Sequence, residues 1–340
     1  MTLWPDARAM ELAGIWGLSG NLKRLTGERD TNFRLDEADG SQWVLKISHP
    51  DEDPGVGAFQ CAAQIHVAAV DPSLPVPRVR HALDGQPWHV LAAEETPDGH
   101  PRLVRVVSWM EGVPVASRPQ GPASRAALGR VMARLDKALK DFSHPGQDHD
   151  LVWDLSRAHA LRDRLHHITD PEWRRLVVEV LEAHANDWGP RAARMRRQVI
   201  HNDMNPHNIL MDPGAEDRLA GIIDFGDMVA APLVNELGVA LSYQPTDGEH
   251  PLAAAGEVLA AYHAVYPLTA DEFAVLPGLI RTRMAATVAT SHWLASIRPG
   301  NRDYLLRNMP AAAAGLARLA QLSDTEAADY LRRACDTQED

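Results

Sequence analysis

Apolar and polar positions along the chain divide it into two parts of different character. Near the start, three short runs at 22–25, 32–35 and 42–47 are separated by the polar turns Gly27-Glu28-Arg29-Asp30 and Ala38-Asp39-Gly40-Ser41, a pattern that predicts a three-stranded meander. The residues before it, up to about Leu18, are expected to form a short leading helix. Phe59, Ala62, Ala63, Ile65, Val67 and Ala68 fit a helix over 55–70 that packs on the sheet and ends by Pro72. Further strands are expected around 89–91 and 103–107. Beyond a Pro- and Gly-containing stretch at 117–120 the pattern turns helical, with Leu128, Val131, Met132, Leu135 and Leu139 at helical spacing. Helices are expected from Trp153 to about Ile168, from Pro171, and over 232–243, 252–265 and 272–295. Two more should precede the acidic end Gln338-Glu339-Asp340, which should be frayed.

One stretch of the second part, 199–228, breaks the helical pattern. Apolar Val199-Ile200 leads into the polar segment 201–208, after which Ile209-Leu210-Met211 resume a buried run. Pro213-Gly214 predicts a hairpin turn, and the apolar run 219–223 delivers Asp224-Phe225-Gly226-Asp227 at its end. Asp203 and Asn208 therefore share one short loop, with a second carboxylate beside it. Phosphoryl transfer needs such a set, because the transferring group requires positioning and charge neutralisation more than covalent help. Asp203 is the candidate base, and Asn208 with Asp224 the candidate ligands of Mg2+, a hard ion that takes oxygen donors. Two other readings of the same residues exist. They are a polar turn without chemistry and an iron site on His201, Asp203 and His207, which leaves Asn208 and the Asp-Phe-Gly unexplained.

The linked motifs H-x-D-x-x-x-x-N and I-I-D-F-G resemble those of the aminoglycoside phosphotransferase and choline kinase superfamily, relatives of the protein kinases. The segment Gly27-Glu28-Arg29-Asp30-Thr31-Asn32-Phe33 followed by Val44-Leu45-Lys46-Ile47, together with Trp153-Asp154-Leu155, is most similar to the hydroxylysine kinase-like branch. The resemblance implies an α+β, two-lobed protein-kinase-like fold. Residues 1–107 would form a small antiparallel-sheet N lobe that binds the nucleotide, 108–112 a hinge, and 113–340 a helical C lobe with the catalytic loop and acceptor pocket. It implies Lys46 as the strand lysine that holds the donor phosphates, with Arg29, Asn32 and Phe33 on the covering loop and the backbone of Trp109 and Met110 against adenine. His201 would brace the catalytic loop. An acidic partner for Lys46 is expected on the helix over 55–70, but its interior offers only Gln60 and Gln64, with Glu52 upstream, so Gln60 is expected to orient the lysine. Asp227 is expected to touch substrate or hydrogen-bond its own loop, and Glu236 to act as a structural anchor. Arg281 and Arg283 are expected either to reach a substrate carboxylate or to face solvent.

Composition narrows the partners. Lys plus Arg total 34 against 46 Asp plus Glu, a formal charge of −12, which argues against a phosphate-backbone partner. Cys61 and Cys335 lie far apart without metal-ligand spacing, which fits a reducing cytoplasm. The start of the chain lacks the pattern of a signal peptide, and no later run reaches the ~20 apolar residues of a membrane span. The expected activity is Mg2+- and ATP-dependent phosphorylation of a hydroxyl on a small metabolite, a hydroxylated amino acid or amino alcohol, with GTP left open as donor. An aminoglycoside O-phosphotransferase and a catalytically silent nucleotide or metabolite sensor are the rival readings. Oligomeric state leaves no mark in the sequence.

Overall fold

In a computed structural model of the protein, which describes residues 4–27 and 29–336, the predicted meander forms as β1 (Asn21–Leu25), β2 (Thr31–Asp36) and β3 (Gln42–Ile47), each pair antiparallel. The expectations for Glu28 and for Gln338-Glu339-Asp340 lie outside the described residues. With β4 (Val79–Arg80), β5 (His89–Leu91) and β6 (Arg102–Ser108) these strands make a sheet in the order β1-β2-β3-β6-β4, β5 also pairing with β6. Alternation sorts its side chains into two faces. Phe33, Leu35, Leu45, Ile47, Val104 and Val106 point to one, where Leu12 and Ala13 of α1 (Asp6–Ala13) and Trp16 just beyond it cover them. The other face carries a polar row, because Asn32 pairs with Lys46 and Lys46 with Arg105. Helix α2 (Pro54–Val70) follows, started by Asp53, whose side chain accepts from the Gly55 N–H, and by Pro54 in its first turn.

The rest of the chain is mainly helical. β7 (Val113–Pro114), β8 (Arg197–Ile200), β9 (Ile209–Asp212), β10 (Ala215–Ile222) and β11 (Val229–Pro232) make two small sheets, ordered β10-β9-β7 and β11-β8. Around them lie α3 (Pro122–Leu139), α4 (Pro171–Ala183), α5 (Gly189–Ala192), α6 (Val234–Ser242), α7 (Ala253–His263) and the long, largely buried α8 (Ala270–Ile297). Helices α3 and α7 approach closely at Gly129, where a Cβ would run into the Val258 carbonyl. The segment expected as a helix from Trp153 is instead a run of 3-10 turns over Leu155–His167. Its buried residues Leu155, Ala158 and Leu161 recur every third position, the period of a 3-10 helix rather than of an α-helix. Where two final helices were expected there are three, α9 (Arg302–Leu306), α10 (Met309–Leu319) and α11 (Asp324–Asp336). Pro310, in the first turn of α10, suits a new helix start but not a helix interior. Among the described residues no helix is long and apolar enough to cross a membrane.

Candidate active site

The loop 201–208 between β8 and β9 is held from beneath. His201 is fully buried, edge-on to the Phe225 ring at 4.8 Å, and its Nδ1 accepts from the Asp203 N–H at 3.3 Å. Burial pushes its pKa down to about 4, so the ring is neutral near pH 7. Asn202 adopts φ 63°, a left-handed conformation uncommon for residues other than glycine. Its N–H donates to Glu236 Oε2 at 2.9 Å and its Nδ2 to the Asp227 carbonyl at 3.2 Å, so the strained residue is tied to α6 and to the neighbouring loop at once.

This bracing presents Asp203. Its Oδ2 accepts from Asn208 Nδ2 at 2.7 Å and Asn205 Nδ2 at 2.9 Å, and its Oδ1 lies 3.4 Å from Arg283 Nη2. Burial lifts its pKa above the ordinary aspartate range, while Arg283 and the two amides oppose that rise. The Ile223 N–H donates to the Asn208 carbonyl at 2.9 Å, which joins this loop to the next one residue before Asp224. Asp224 also has φ 63°, and its Oδ1 accepts from the Gly226 N–H at 3.3 Å. Its side chain is 54% exposed, so the carboxylate faces an open cleft, and Lys46 Nζ at 3.6 Å holds its pKa below the usual range.

Across the cleft, Lys46 stands between two carboxylates, Asp224 and, at 3.9 Å, Asp30 of the turn between β1 and β2. Asp30 also accepts from the His49 N–H at 3.2 Å and lies 3.7 Å from Arg105 Nη2. Gln60 is engaged elsewhere: its Oε1 accepts from Arg105 Nη2 at 2.6 Å and its Nε2 donates to the Gly226 carbonyl at 3.2 Å. The expected Gln60–Lys46 pair is thus replaced by acidic partners for the lysine, because Arg105, one strand over in register, takes the amide instead. Gln60 becomes a tie from sheet to Asp-Phe-Gly loop.

On the far side of Asp203 a pocket opens toward α8 and α9. Trp153, Asp227, Tyr243, Arg283, Tyr304 and Arg307 are among the side chains that line it. Arg283 is nearly fully buried; it donates to the Tyr243 hydroxyl at 3.0 Å and the Trp153 carbonyl at 3.2 Å, and its guanidinium lies 4.6 Å above the Trp153 ring. Lys46, Asn208 and Asp224 are not part of this wall. Asp203 therefore stands between a cleft lined by Lys46 and Asp224 and a pocket on the side of α8.

Residues 21–271 match the phosphotransferase enzyme family, designated APH. The chain belongs to this family. Hydroxylysine kinase of Danio rerio is 25% identical to it over 322 residues, which cover 92% of this chain and 90% of that protein. Homoserine kinase of Azorhizobium caulinodans is 28% identical over 261 residues, 75% of this chain and 74% of that protein. The solved structure of a microcompartment-associated aminopropanol kinase superposes with a TM-score of 0.71 at 20% identity, covering 97% of this chain and 99% of that one. The protein is a phosphotransferase with the kinase-like fold, an antiparallel-sheet N-terminal part and a helical C-terminal part.

Not every residue singled out in the sequence of this phosphotransferase lies at the site. Phe33 is fully buried on the α1 face of the sheet, under the Arg24 guanidinium, and so points away from the cleft. Its neighbour Asn32 lies on the Lys46 row, and Arg29 is exposed on the covering turn. Of the hinge groups expected against adenine, the Trp109 N–H already donates to the Gln42 carbonyl at 3.0 Å, and the Met110 side chain packs over Gly221 of β10, while the Trp109 carbonyl and the Met110 N–H bond none of the described residues. Arg281 bonds Asp324 and the Leu319 and Leu322 carbonyls at 3.0 and 2.7 Å, so it neither faces solvent nor reaches the pocket. Among the described residues no three His, Cys, Asp or Glu side chains converge as a metal site, which removes the iron reading of His201, Asp203 and His207. Asp30, Arg105, Asn205, Tyr243 and Arg307 were not anticipated. Arg105 carried a signal, a lone charge inside the apolar run 103–107.

Proposed function

We propose that this phosphotransferase moves the γ-phosphoryl group of ATP or GTP to a hydroxyl of a small metabolite, a hydroxylated amino acid or amino alcohol. The observation that carries the reading is the braced Asp203 carboxylate, hydrogen-bonded to Asn208 and tied through Ile223 to the loop of Asp224, with Lys46 facing that second carboxylate. On this reading residues 1–107 take the nucleotide, 108–112 hinge, and 113–340 hold the acceptor. The protein works in the cytoplasm, as its two separate, buried cysteines suggest.

Asp203 orients the acceptor hydroxyl and receives its proton as the oxygen bonds to the γ-phosphorus and the bridging P–O bond to the nucleoside diphosphate breaks. Lys46 pairs with the donor phosphates, and Asp30 keeps the lysine extended toward them. Asn208 Oδ1, which accepts no hydrogen bond from the described residues, and the exposed Asp224 carboxylate are oxygen donors on adjacent loops and fit Mg2+. When bound, the ion supplies neutralisation of the phosphate charge. The pocket lining holds two carboxylates, Asp203 and Asp227, and two guanidiniums, Arg283 and Arg307, a balance that does not favour an aminoglycoside polycation.

The test is Mg2+-dependent ADP release across hydroxylysine, homoserine, threonine, ethanolamine, choline and kanamycin. Turnover with one of the small amines or amino acids is expected, reduced at least 10²-fold by Asp203→Asn with nucleotide binding retained. Turnover of kanamycin alone would move the protein to the antibiotic-modifying enzymes. Nucleotide binding without turnover would make it a sensor.

A further inference from the structure

Each arginine that α8 directs inward has an acidic partner: Arg281 pairs with Asp324 and Arg283 with Asp203. Arg307, at the junction of α9 and α10, has none among the described residues. Its Nη1 donates to the Tyr304 carbonyl at 3.1 Å, and its guanidinium lies 3.6 Å over the Tyr304 ring, which fixes its plane. Its Nη2 donates to none of the described residues, whereas the Nη2 atoms of Arg281 and Arg283 are both hydrogen-bonded. A half-buried guanidinium with a free Nη2 and no carboxylate partner gains a charge-assisted hydrogen bond when an anion enters the pocket. The planar guanidinium, held by stacking, matches a carboxylate through two parallel hydrogen bonds.

Position decides which anion this is. Arg307 shares a pocket wall with Asp203, Arg283 and the α8 side chains Thr287 and Ser291. The cleft that carries Lys46 and Asp224 contributes nothing to that wall. A donor phosphate belongs with Lys46, so the anion facing Arg307 comes from the other reactant. We infer that the acceptor carries a carboxylate, held by Arg307 while its hydroxyl faces Asp203, and that the acceptor is therefore an amino or hydroxy acid rather than an amino alcohol. This rests on the phosphoryl-transfer reading above and narrows it. It also transfers to Arg307 the carboxylate contact expected of Arg281 or Arg283, both of which have acidic partners of their own.

The experiment compares acceptors that differ only in the carboxylate: threonine against 1-amino-2-propanol, homoserine against 3-amino-1-propanol, and hydroxylysine against its decarboxylated diamine. Each is assayed for turnover, and separately for binding by calorimetry without nucleotide, on the wild type and on Arg307→Gln and Arg307→Lys. The wild type is expected to favour at least one acid over its amine by about 10²-fold in kcat/KM, because the guanidinium is left unpaired by the amine. Arg307→Gln should erase that preference through the KM of the acid, and Arg307→Lys should restore part of it, since a point charge replaces the fork. Equal use of acid and amine by the wild type overturns the inference. So does an Arg307→Gln defect that falls on the KM of ATP, which would assign the arginine to the donor phosphates. If nothing is turned over, the reaction reading fails but calorimetry still decides: an acid that binds the wild type and not Arg307→Gln supports the carboxylate site, and the absence of binding by all three acids overturns it.

Discussion

Glu236 shows how a residue remote from the reacting atoms controls the site. It is fully buried, and its Oε2 accepts the N–H of Asn202, the strained residue next to the proposed base. Burial raises its pKa to about 7 from an ordinary 4.5. Between pH 4.5 and about 7 the folded protein therefore keeps a proton on Glu236 that the unfolded chain has released. The stabilisation from the neutral form is complete below pH 4.5 and is lost as pH rises through about 7. Glu236→Gln keeps an acceptor for Asn202 and cannot ionise, so the Tm of the variant relative to wild type should become more favourable between pH 5 and pH 8. A flat difference would mean that Glu236 does not titrate in that range. Asp203 and Asn208 were legible as single residues because their spacing on one loop fixes their separation. Gln60 was not, since its partner depends on a strand distant in sequence.

Helix α8 carries Arg281 and Arg283 two positions apart, about 200° around the helix axis, so they leave it on nearly opposite sides. Arg283 reaches Asp203 and Trp153; Arg281 ties α8 to α11 through Asp324, which also accepts from Trp188 Nε1 at 3.0 Å. Both arginines are buried, so an apolar stripe could not rank them: α8 is covered nearly all round, and its pattern has no solvent face from which to count. Arg281→Ala should destabilise the protein by about 1–3 kcal/mol, the cost of leaving buried acceptors unpaired, with the acceptor KM unchanged. Denaturant unfolding and steady-state kinetics on the same preparation check this. A raised KM at wild-type stability would return Arg281 to the substrate. Within the sheet, register does the equivalent sorting. Asn32, Lys46 and Arg105 meet on one face because the strands pair there, while Phe33, one residue on, is turned into the core.

The molecule as a whole places the two motif loops opposite the sheet face that carries Asn32, Lys46 and Arg105 and beside the turn that carries Asp30. A ligand that spans this gap should stabilise both parts together. A non-hydrolysable ATP analogue with Mg2+, at 100 times its Kd, should add about 2.7 kcal/mol of stability, read as a rise in Tm that Lys46→Ala diminishes. The same rise in the variant would remove Lys46 from nucleotide binding. The strand meander, the helices with clear amphipathic or capped boundaries, and the two linked loops were legible in the sequence, because periodicity, turn chemistry and short spacings are local properties. The sequence also carried the resemblance that the family match bears out. The 3-10 run at 155–167 and the break at Pro310 departed from the expected helices, although both have local causes. Which acid faces Lys46, which arginine faces Asp203, and that Arg307 lines the pocket beside Asp203 without an acidic partner among the described residues were set by tertiary packing. Each of these depends on the packing of segments far apart in the chain, where burial and the competition for hydrogen-bond partners are set by neighbours that no local pattern encodes.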